Sequence, residues 1–501
     1  MRFSLKPTTL FRCVVASLVL FSSALAFANN PIPQVVGPPV PQAVVPGSGA
    51  LTLKVYGANF VSGAVVNWNG QARTTTFVSA RELQAQILAS DIVKPTAGYI
   101  TVTNPPPGGG VSSSSYAIVE VHEPTKTISV KQPTTYPNNP GYVVTADFTG
   151  DGILDLVTGS DEAYGPVSLN VGNGDGTFQP AITIGSDYFP LAAIGFGDFT
   201  GKGRLDLAYG WQDSKSGICG NQPPNYPPCY VKVLVNKGHE RFRGLRPFDR
   251  SYDSASSAIV AGDFNGDGIL DLAVFATYET GQAGKIFLGN GDGTFKRGQT
   301  FGFQNLDGFG AVTADFNGDG KLDLVAAYGN SLYLMLGNGD GTFQKPRRIL
   351  TDKYEIGCGT GQGSLAVSDF NGDGNADLAF CDRRSSGGSV AVRLGILLGN
   401  GDGTFQRVAY YSPGAPYGGF FAAGDFNSDG KTDLIFSGLD SEYRPQFDVL
   451  WGNGDGTFQK PKKIILRNDS EGVLIPGDFN SDGLLDFVVA ASFGLEVNVQ
   501  E

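Results

Sequence analysis

The sequence predicts an all-β chain in which seven equivalent units close into a seven-bladed β-propeller, preceded by a smaller β-sandwich. Three observations carry that expectation. The stretch Asp263-Phe264-Asn265-Gly266-Asp267-Gly268-Ile269-Leu270-Asp271-Leu272 recurs seven times, starting at Asp147, Asp198, Asp263, Asp315, Asp369, Asp425 and Asp478. The starts lie 51 to 65 residues apart, and self-similarity at such a period marks an array of equal supersecondary units. Glycine supplies 71 of 501 residues, and β-branched and aromatic residues alternate with polar ones, with few apolar residues at helical spacing. Lastly, a Gly-Asn-Gly-Asp-Gly-Thr-Phe element begins at 172, 289, 337, 399 and 452, with a degenerate form at Asn236. Asn-Gly and Asp-Gly are tight hairpin signals.

Each repeat then reads the same way. An apolar run such as 257–262 leads into the acidic stretch, and Leu272-Ala273-Val274-Phe275 leaves it. A third strand ends in the Gly-Asn-Gly turn and a fourth follows. Four antiparallel strands repeated seven times describe a β-propeller. The last repeat lacks its Gly-Asn-Gly turn, while Thr127-Ile128-Ser129-Val130 precedes the first loop with no unit of its own. That N-terminal strand is expected to complete the last unit and lock the ring.

Ahead of the repeats, residues 1–28 carry Arg2, Lys6 and Arg12, then an apolar run ending in Ala26-Phe27-Ala28, the pattern of a secretory signal peptide. No later segment approaches 18 consecutive apolar residues. Formal net charge is −12, or −15 without the three leader cations, and six bound divalent ions would bring it to about −3. This acidity argues against a nucleic-acid partner. Four cysteines follow the leader, an even number that favours disulfides in an exported chain. Cys219 with Cys229 and Cys358 with Cys381 are the expected pairs.

The acidic stretch carries the chemistry. Carboxylates stand at positions 1, 5 and 9, an amide at 3 and glycine at 6. Close carboxylates repel by up to about 4 kcal/mol per pair at an effective dielectric of about 20, so a cation is wanted. Oxygen-only ligands with a glycine at the sharp turn suit calcium. The EF-hand loop closes with Glu at position 12; here Asp at position 9 closes a shorter loop. The alternative is an acidic Asx turn that binds nothing. The expected ligands are Asp147, Thr149, Asp151, Ile153 and Asp155; Asp263, Asn265, Asp267, Ile269 and Asp271; Asp315, Asn317, Asp319, Lys321 and Asp323; Asp369, Asn371, Asp373, Asn375 and Asp377; Asp425, Asn427, Asp429, Lys431 and Asp433; and Asp478, Asn480, Asp482, Leu484 and Asp486. Position 7 of each set acts through its carbonyl. The loop at Asp198 has Lys202 at position 5 and is expected to be metal-free.

Two resemblances add to this reading. Residues 29–123 contain strands at Leu51-Thr52-Leu53-Lys54-Val55-Tyr56 and Tyr99-Ile100-Thr101-Val102-Thr103, with Gly57-Ala58-Asn59-Phe60 and Val66-Asn67-Trp68-Asn69-Gly70 between them. This segment resembles the IPT/TIG immunoglobulin-like family, which implies a β-sandwich spacer or interaction module with Trp68 in its core. Residues 124–501 resemble FG-GAP/VCBS repeats, the kind that build integrin α-chain propellers. That resemblance implies calcium in the loop between strands 1 and 2 of each blade.

In such a blade the 1–2 and 3–4 turns share one face, and the 2–3 and 4–1 connections share the other. The second face collects Tyr188, Trp211, Tyr226, Tyr278, Tyr354, Arg383 and Tyr443. Aromatics with arginine suit sugar rings or protein hot spots. Catalysis has little material, since His122 and His239 are the only histidines. The expected function is an exported calcium-binding module for polysaccharide or extracellular protein. A calcium-dependent polysaccharide lyase, in which Lys, Arg or Tyr serves as base, and a structural surface component remain the alternatives.

Overall fold

The computed structural model describes residues 29–501 except 113–116, 132, 138–139, 161–165, 187–190, 212–228, 252–255, 277–283, 304–307, 358–363, 387–388, 467–470 and 492–493. The expected leader lies outside the described residues. The described chain is all-β apart from one short 3-10 turn at Ala89–Ile92, and no helix is long and apolar enough to cross a membrane.

Two sheets form the N-terminal unit. One orders Gln34–Val35, Leu51–Ala58, Glu82–Ile87 and Thr75–Ser79; the other orders Ala43–Val44, Ile118–Val121, Thr96–Asn104, Val65–Trp68 and Gln71–Ala72, with Gly110–Val111 paired to Thr96–Asn104. Alternating residues of both sheets, including Leu53, Val55, Leu83, Ile87, Val66, Ile100, Val102 and Val119, meet in one buried cluster. Trp68 is 3% exposed in that cluster, the core role expected for it. Its ring lies across Gly98, where a Cβ would come within 2.3 Å of it.

Among the described residues, seven further sheets of four or five strands follow. Their innermost strands are Pro140–Ala146, Leu191–Gly197, Ser256–Gly262, Gly308–Ala314, Leu365–Ser368, Tyr417–Gly424 and Val473–Gly477. All within-sheet pairings are antiparallel, and each acidic stretch joins the first strand to the second. The second strands read as continuous apolar runs rather than alternating ones. Asp271–Ala276, Asp323–Tyr328 and Asp486–Ala491 are buried at every position, because a sheet packs on each side.

The sheets pack face to face in a cycle. Separate buried clusters join sheets one and two, two and three, and so on to six and seven; a further cluster joins sheet seven to sheet one through Val473, Ile475, Val488, Val143 and Leu156. Sheet seven borrows its outermost strand from the start of the repeats. Thr134–Tyr136 pairs antiparallel with Gly494–Asn498. The expected strand at 127–130 does join the same edge, through a Val130–Gln500 bridge and the Glu501 N–H to Ser129 carbonyl bond of 3.0 Å. The regular pairing begins a few residues later than the sequence pattern suggested.

The innermost strands surround a cavity of about 480 Å³. Gln34, Val36, Pro38, Gln42 and Glu120 of the N-terminal unit also line it, so the sandwich reaches the end of the ring that carries the acidic loops.

Candidate metal loops and candidate ligand face

The acidic loop is a backbone-wrapped turn. In the loop at 315, Asp315 Oδ1 accepts from the N–H groups of Gly318 (2.7 Å) and Asp319 (3.2 Å), and Oδ2 accepts from Gly320 (2.8 Å). Asp319 Oδ1 accepts from the Lys321 N–H at 3.0 Å. Position 4 is left-handed in every such turn, with φ +74° at Gly318, and Ser428 (+55°) and Ser481 (+60°) adopt it too. The loop at 198 folds alike, with Lys202 and Gly203 donating to Asp198 at 3.0 and 2.5 Å. The turn therefore forms without an acidic residue at position 5, although that aspartate, where present, also accepts the position 7 N–H.

Position 9 has a distinct task. Each of these aspartates is fully buried. In sheet three, Asp271 Oδ2 accepts from the Phe264 N–H at 3.0 Å and Oδ1 from the Gly289 N–H at 2.8 Å. The same pair of bonds recurs at Asp155, Asp206, Asp323, Asp377, Asp433 and Asp486. This carboxylate ties the loop to the turn between strands three and four. Each oxygen keeps a further lone-pair direction.

The Gly-Asn-Gly-Asp-Gly turn then clasps the neighbouring sheet. Its third glycine donates to the carbonyl of the loop phenylalanine next door: Gly176 to Phe479 (3.0 Å), Gly293 to Phe199 (3.1 Å), Gly341 to Phe264 (2.9 Å), Gly403 to Phe316 (2.9 Å) and Gly456 to Phe370 (3.0 Å). Two sheets lack the motif and substitute a side chain. Asn236 Nδ2 donates to the Phe148 carbonyl at 2.8 Å, and Gln500 Nε2 to that of Phe426 at 3.2 Å. The phenylalanines of loop and turn also meet edge to face, as in Phe264 with Phe343 at 5.3 Å. Asn236 stood at the degenerate turn in the sequence; Gln500 gave no signal there.

Electrostatically the loops are under-neutralised. Burial first, then neighbouring carboxylates, raises Asp271 to about 8 and Asp323, Asp425 and Asp478 to about 7, against the lowering effect of their backbone bonds. Asp377 reaches about 7 and Asp155 and Asp263 about 6, burial leading in each. Some relief is local: Lys321 lies 3.6 Å from Asp319 and Lys431 3.9 Å from Asp429. The donor set, oxygens at positions 1, 3, 5, 7 and 9, fits a hard divalent cation. Among the described residues, no three His, Cys, Asp or Glu side chains are gathered tightly enough to hold an ion as they stand.

The N-terminal sandwich sits on five of these loops. The Ile32 N–H donates to Asp263 Oδ2 at 2.8 Å, and Asn59 Nδ2 to the Asp263 carbonyl at 3.0 Å. The Asn59 N–H reaches the Gly320 carbonyl at 2.8 Å. Arg81 donates to the Gly374 carbonyl at 2.7 Å and to Asn375 Oδ1 at 3.1 Å. Tyr99 Oη donates to the Asp478 carbonyl at 2.7 Å, and Ser428 Oγ to the fully buried Glu120 at 2.5 Å. Burial raises the Glu120 carboxyl well above its ordinary range, with Asp425 adding to the effect. None of these sandwich residues stands in a repeating pattern, so sequence reasoning missed them.

At the opposite end, Tyr443 is 65% exposed and stacks on Tyr417 at 5.0 Å with an 8° interplanar angle. Tyr443 also holds φ +61°, a left-handed conformation that costs a non-glycine residue about 1–3 kcal/mol. Arg383 is exposed on the strand Asp377–Ser386. Tyr354 is engaged: the Arg393 guanidinium lies 5.6 Å from its ring and 3.8 Å from that of Tyr410. Arg393 also bridges Asp382 and, at 3.3 Å, Asp352. Trp211 ends the strand Asp206–Trp211. Tyr188, Tyr226, Tyr278, Cys219 and Cys358 lie outside the described residues. Cys229 opens the strand Cys229–Asn236, and Cys381 is buried and disulfide-bonded.

An FG-GAP-like repeat model matches residues 147–209, 263–326, 315–380 and 425–489. The chain carries FG-GAP-like repeats. Each matched segment opens on the position-1 aspartate of an acidic loop described above. Human cartilage acidic protein 1 is 27% identical over 193 residues, 34% of this chain and 26% of that protein. Integrin alpha pat-2 of Caenorhabditis briggsae is 28% identical over 247 residues, 42% of this chain and 20% of that protein. The repeat chain thus spans about a quarter or less of the curated relatives it matches. Among solved structures, an Agrocybe aegerita lectin that recognises non-reducing terminal N-acetylglucosamine is 19% identical with a TM-score of 0.44, covering 80% of this chain and 96% of its own.

Proposed function

We propose that the chain is an exported, calcium-binding seven-bladed β-propeller that serves as a binding or adhesion module for a polysaccharide or an extracellular protein. The N-terminal unit, in this reading, is an IPT/TIG-like sandwich. One observation carries the proposal. The sandwich is seated on the acidic-loop end of the repeats through direct bonds to five loops. A ligand is therefore left the opposite end, where the stacked Tyr417 and Tyr443 are presented. The leader pattern at 1–28 and relatives named for cartilage and for integrin α chains favour an extracellular setting.

In six of the loops, calcium would be held by positions 1, 3 and 5, the position 7 carbonyl and position 9; the loop at 198 is excluded by Lys202. Bound there, it would supply positive charge beside carboxylates such as Asp263, Asp271, Asp425 and Asp478, which burial and then neighbouring carboxylates raise above their ordinary range. Extracellular modules of this kind work at about 0.1–1 mM calcium. The chain's own contribution is rigidity: position 9 anchors each loop to its turn, and the turn clasps the next sheet.

The test is incubation of calcium-loaded protein with panels of polysaccharides and extracellular proteins, scoring retention and polymer length together. Retention of intact ligand supports a binding module. Shortened polysaccharide would replace it with the lyase reading, and no retention on either panel would remove the binding reading.

A further inference from the structure

We propose that Tyr443, backed by Tyr417, is the stacking platform of a subsite for a neutral glycan. The proposal rests on the reading that the end opposite the acidic loops carries the ligand. Tyr443 lies in the five-residue loop 440–444 between the strands Asp433–Leu439 and Pro445–Leu450, whose ends pair as Leu439 with Pro445. The acidic loop of the same sheet is at the other end of the strand Asp433–Leu439.

The loop is built to hold one ring still. Asp440 Oδ1 accepts the N–H groups of Glu442 (2.8 Å) and Arg444 (3.0 Å), and its Oδ2 accepts Arg444 Nε at 2.9 Å. The Tyr443 N–H donates to the Asp440 carbonyl at 3.0 Å, and the Asp440 N–H to that of Arg444 at 2.8 Å. Such a hairpin asks for glycine or asparagine at its left-handed position. Tyrosine stands there instead, at φ +61°. A bulky residue kept in that conformation points to a use for its side chain.

The ring's surroundings indicate the ligand. One face rests on Tyr417, yet the residue is 65% exposed, so the other face is open to solvent. A single open ring matches the C–H face of one pyranose, whose polarised hydrogens meet the negative face of the aromatic quadrupole. Here the rim is charged: Arg444 is 66% exposed and pairs with Asp440 (2.9 Å) and Glu442 (2.8 Å). These groups offer donors and acceptors to sugar hydroxyls. Two carboxylates against one guanidinium leave the rim negative, which selects a neutral sugar over an acidic one.

The experiment compares the full chain with Tyr443→Gly and Tyr443→Phe on immobilised xylan, mannan, galactan and β-glucan, beside a panel of extracellular-matrix proteins. We expect retention of the parent chain on at least one neutral polysaccharide. Tyr443→Gly should weaken that retention at least tenfold with an unchanged or raised melting temperature, and Tyr443→Phe should stay within threefold. Undiminished glycan retention by Tyr443→Gly overturns the subsite. Retention on protein alone, indifferent to Tyr443→Gly, overturns the subsite while leaving the binding reading intact. No retention on either panel overturns both.

Discussion

Gln500 bears on how the ring is closed, and its removal has a calculable cost. The residue is 1% exposed. Its Nε2 donates to the carbonyls of Phe426 (3.2 Å) and Leu485 (2.5 Å), and its N–H donates to Asp486 Oδ1 at 2.7 Å. Gln500→Ala keeps the last bond and deletes the first two. Each buried carbonyl left short of a donor costs about 1–3 kcal/mol, and the vacated methylene adds about 1 kcal/mol. A loss of about 3–7 kcal/mol is expected. For a repeat ring of this size, with an unfolding entropy of about 2.1 cal/mol/K per residue, that lowers Tm by about 4–9 °C. The assay is thermal unfolding at fixed calcium, with exposed Glu501→Ala as a neutral control. Asn236→Ala, which removes the equivalent clasp between sheets two and one, should fall in the same range. A Gln500→Ala melt within about 1 °C of the parent would refute the reasoning.

The remaining expectations are briefer. Asp267→Ala or Asp319→Ala should reduce the calcium-dependent part of the melt, while Lys202→Ala leaves it unchanged; equal effects from all three contradict the loop assignment. In chelator, stability should depend on pH. Asp271 at about 8 and Asp323, Asp377, Asp425 and Asp478 at about 7 are raised in the fold. Raised carboxyls contribute stability that is present below about pH 4 and lost as pH climbs through 7 to 8. Chelated protein should therefore melt lower at pH 8 than at pH 5, and calcium should flatten the slope; a metal-free melt that rises with pH is inconsistent with it. Tyr99→Phe removes the bond to the Asp478 carbonyl and should cost about 1 kcal/mol, with faster proteolysis of the segment near Pro124. Unaltered proteolysis and melting would show that this contact does not hold the sandwich. Deleting residues 127–136 should lower Tm more than Gln500→Ala does, because it strips the outer strand from sheet seven; a smaller loss would deny that strand its closing role.

The repeats were legible because their signals are local. An Asn-Gly turn, a left-handed glycine and an apolar run each act over a few residues, so the sevenfold motif carried strand order and loop placement with it. Even the borrowed strand could be read, from a missing turn at one end and a spare strand at the other. Its register was not, since Thr134–Tyr136 carries no alternating apolar pattern. What the motif does between sheets also escaped sequence reasoning. The Gly-Asn-Gly turn reads as a hairpin, and its clasp on the neighbouring phenylalanine carbonyl exists only once the sheets are side by side. The seat of the sandwich is hidden for the same reason. Ile32, Asn59, Arg81, Tyr99 and Glu120 come from separate turns and strands, and only tertiary folding gathers them above the loops. Lys202, in contrast, announced its loop's different charge in the sequence itself.

The most direct test of the account is equilibrium calcium binding to the full chain, read alongside its melting temperature. The account predicts up to six sites, none of them removed by Lys202→Ala, and a melt that rises with occupancy; about 1.4 kcal/mol per site is expected at tenfold the Kd. Absence of bound calcium at millimolar concentration, or binding that leaves the melt unmoved, would contradict it.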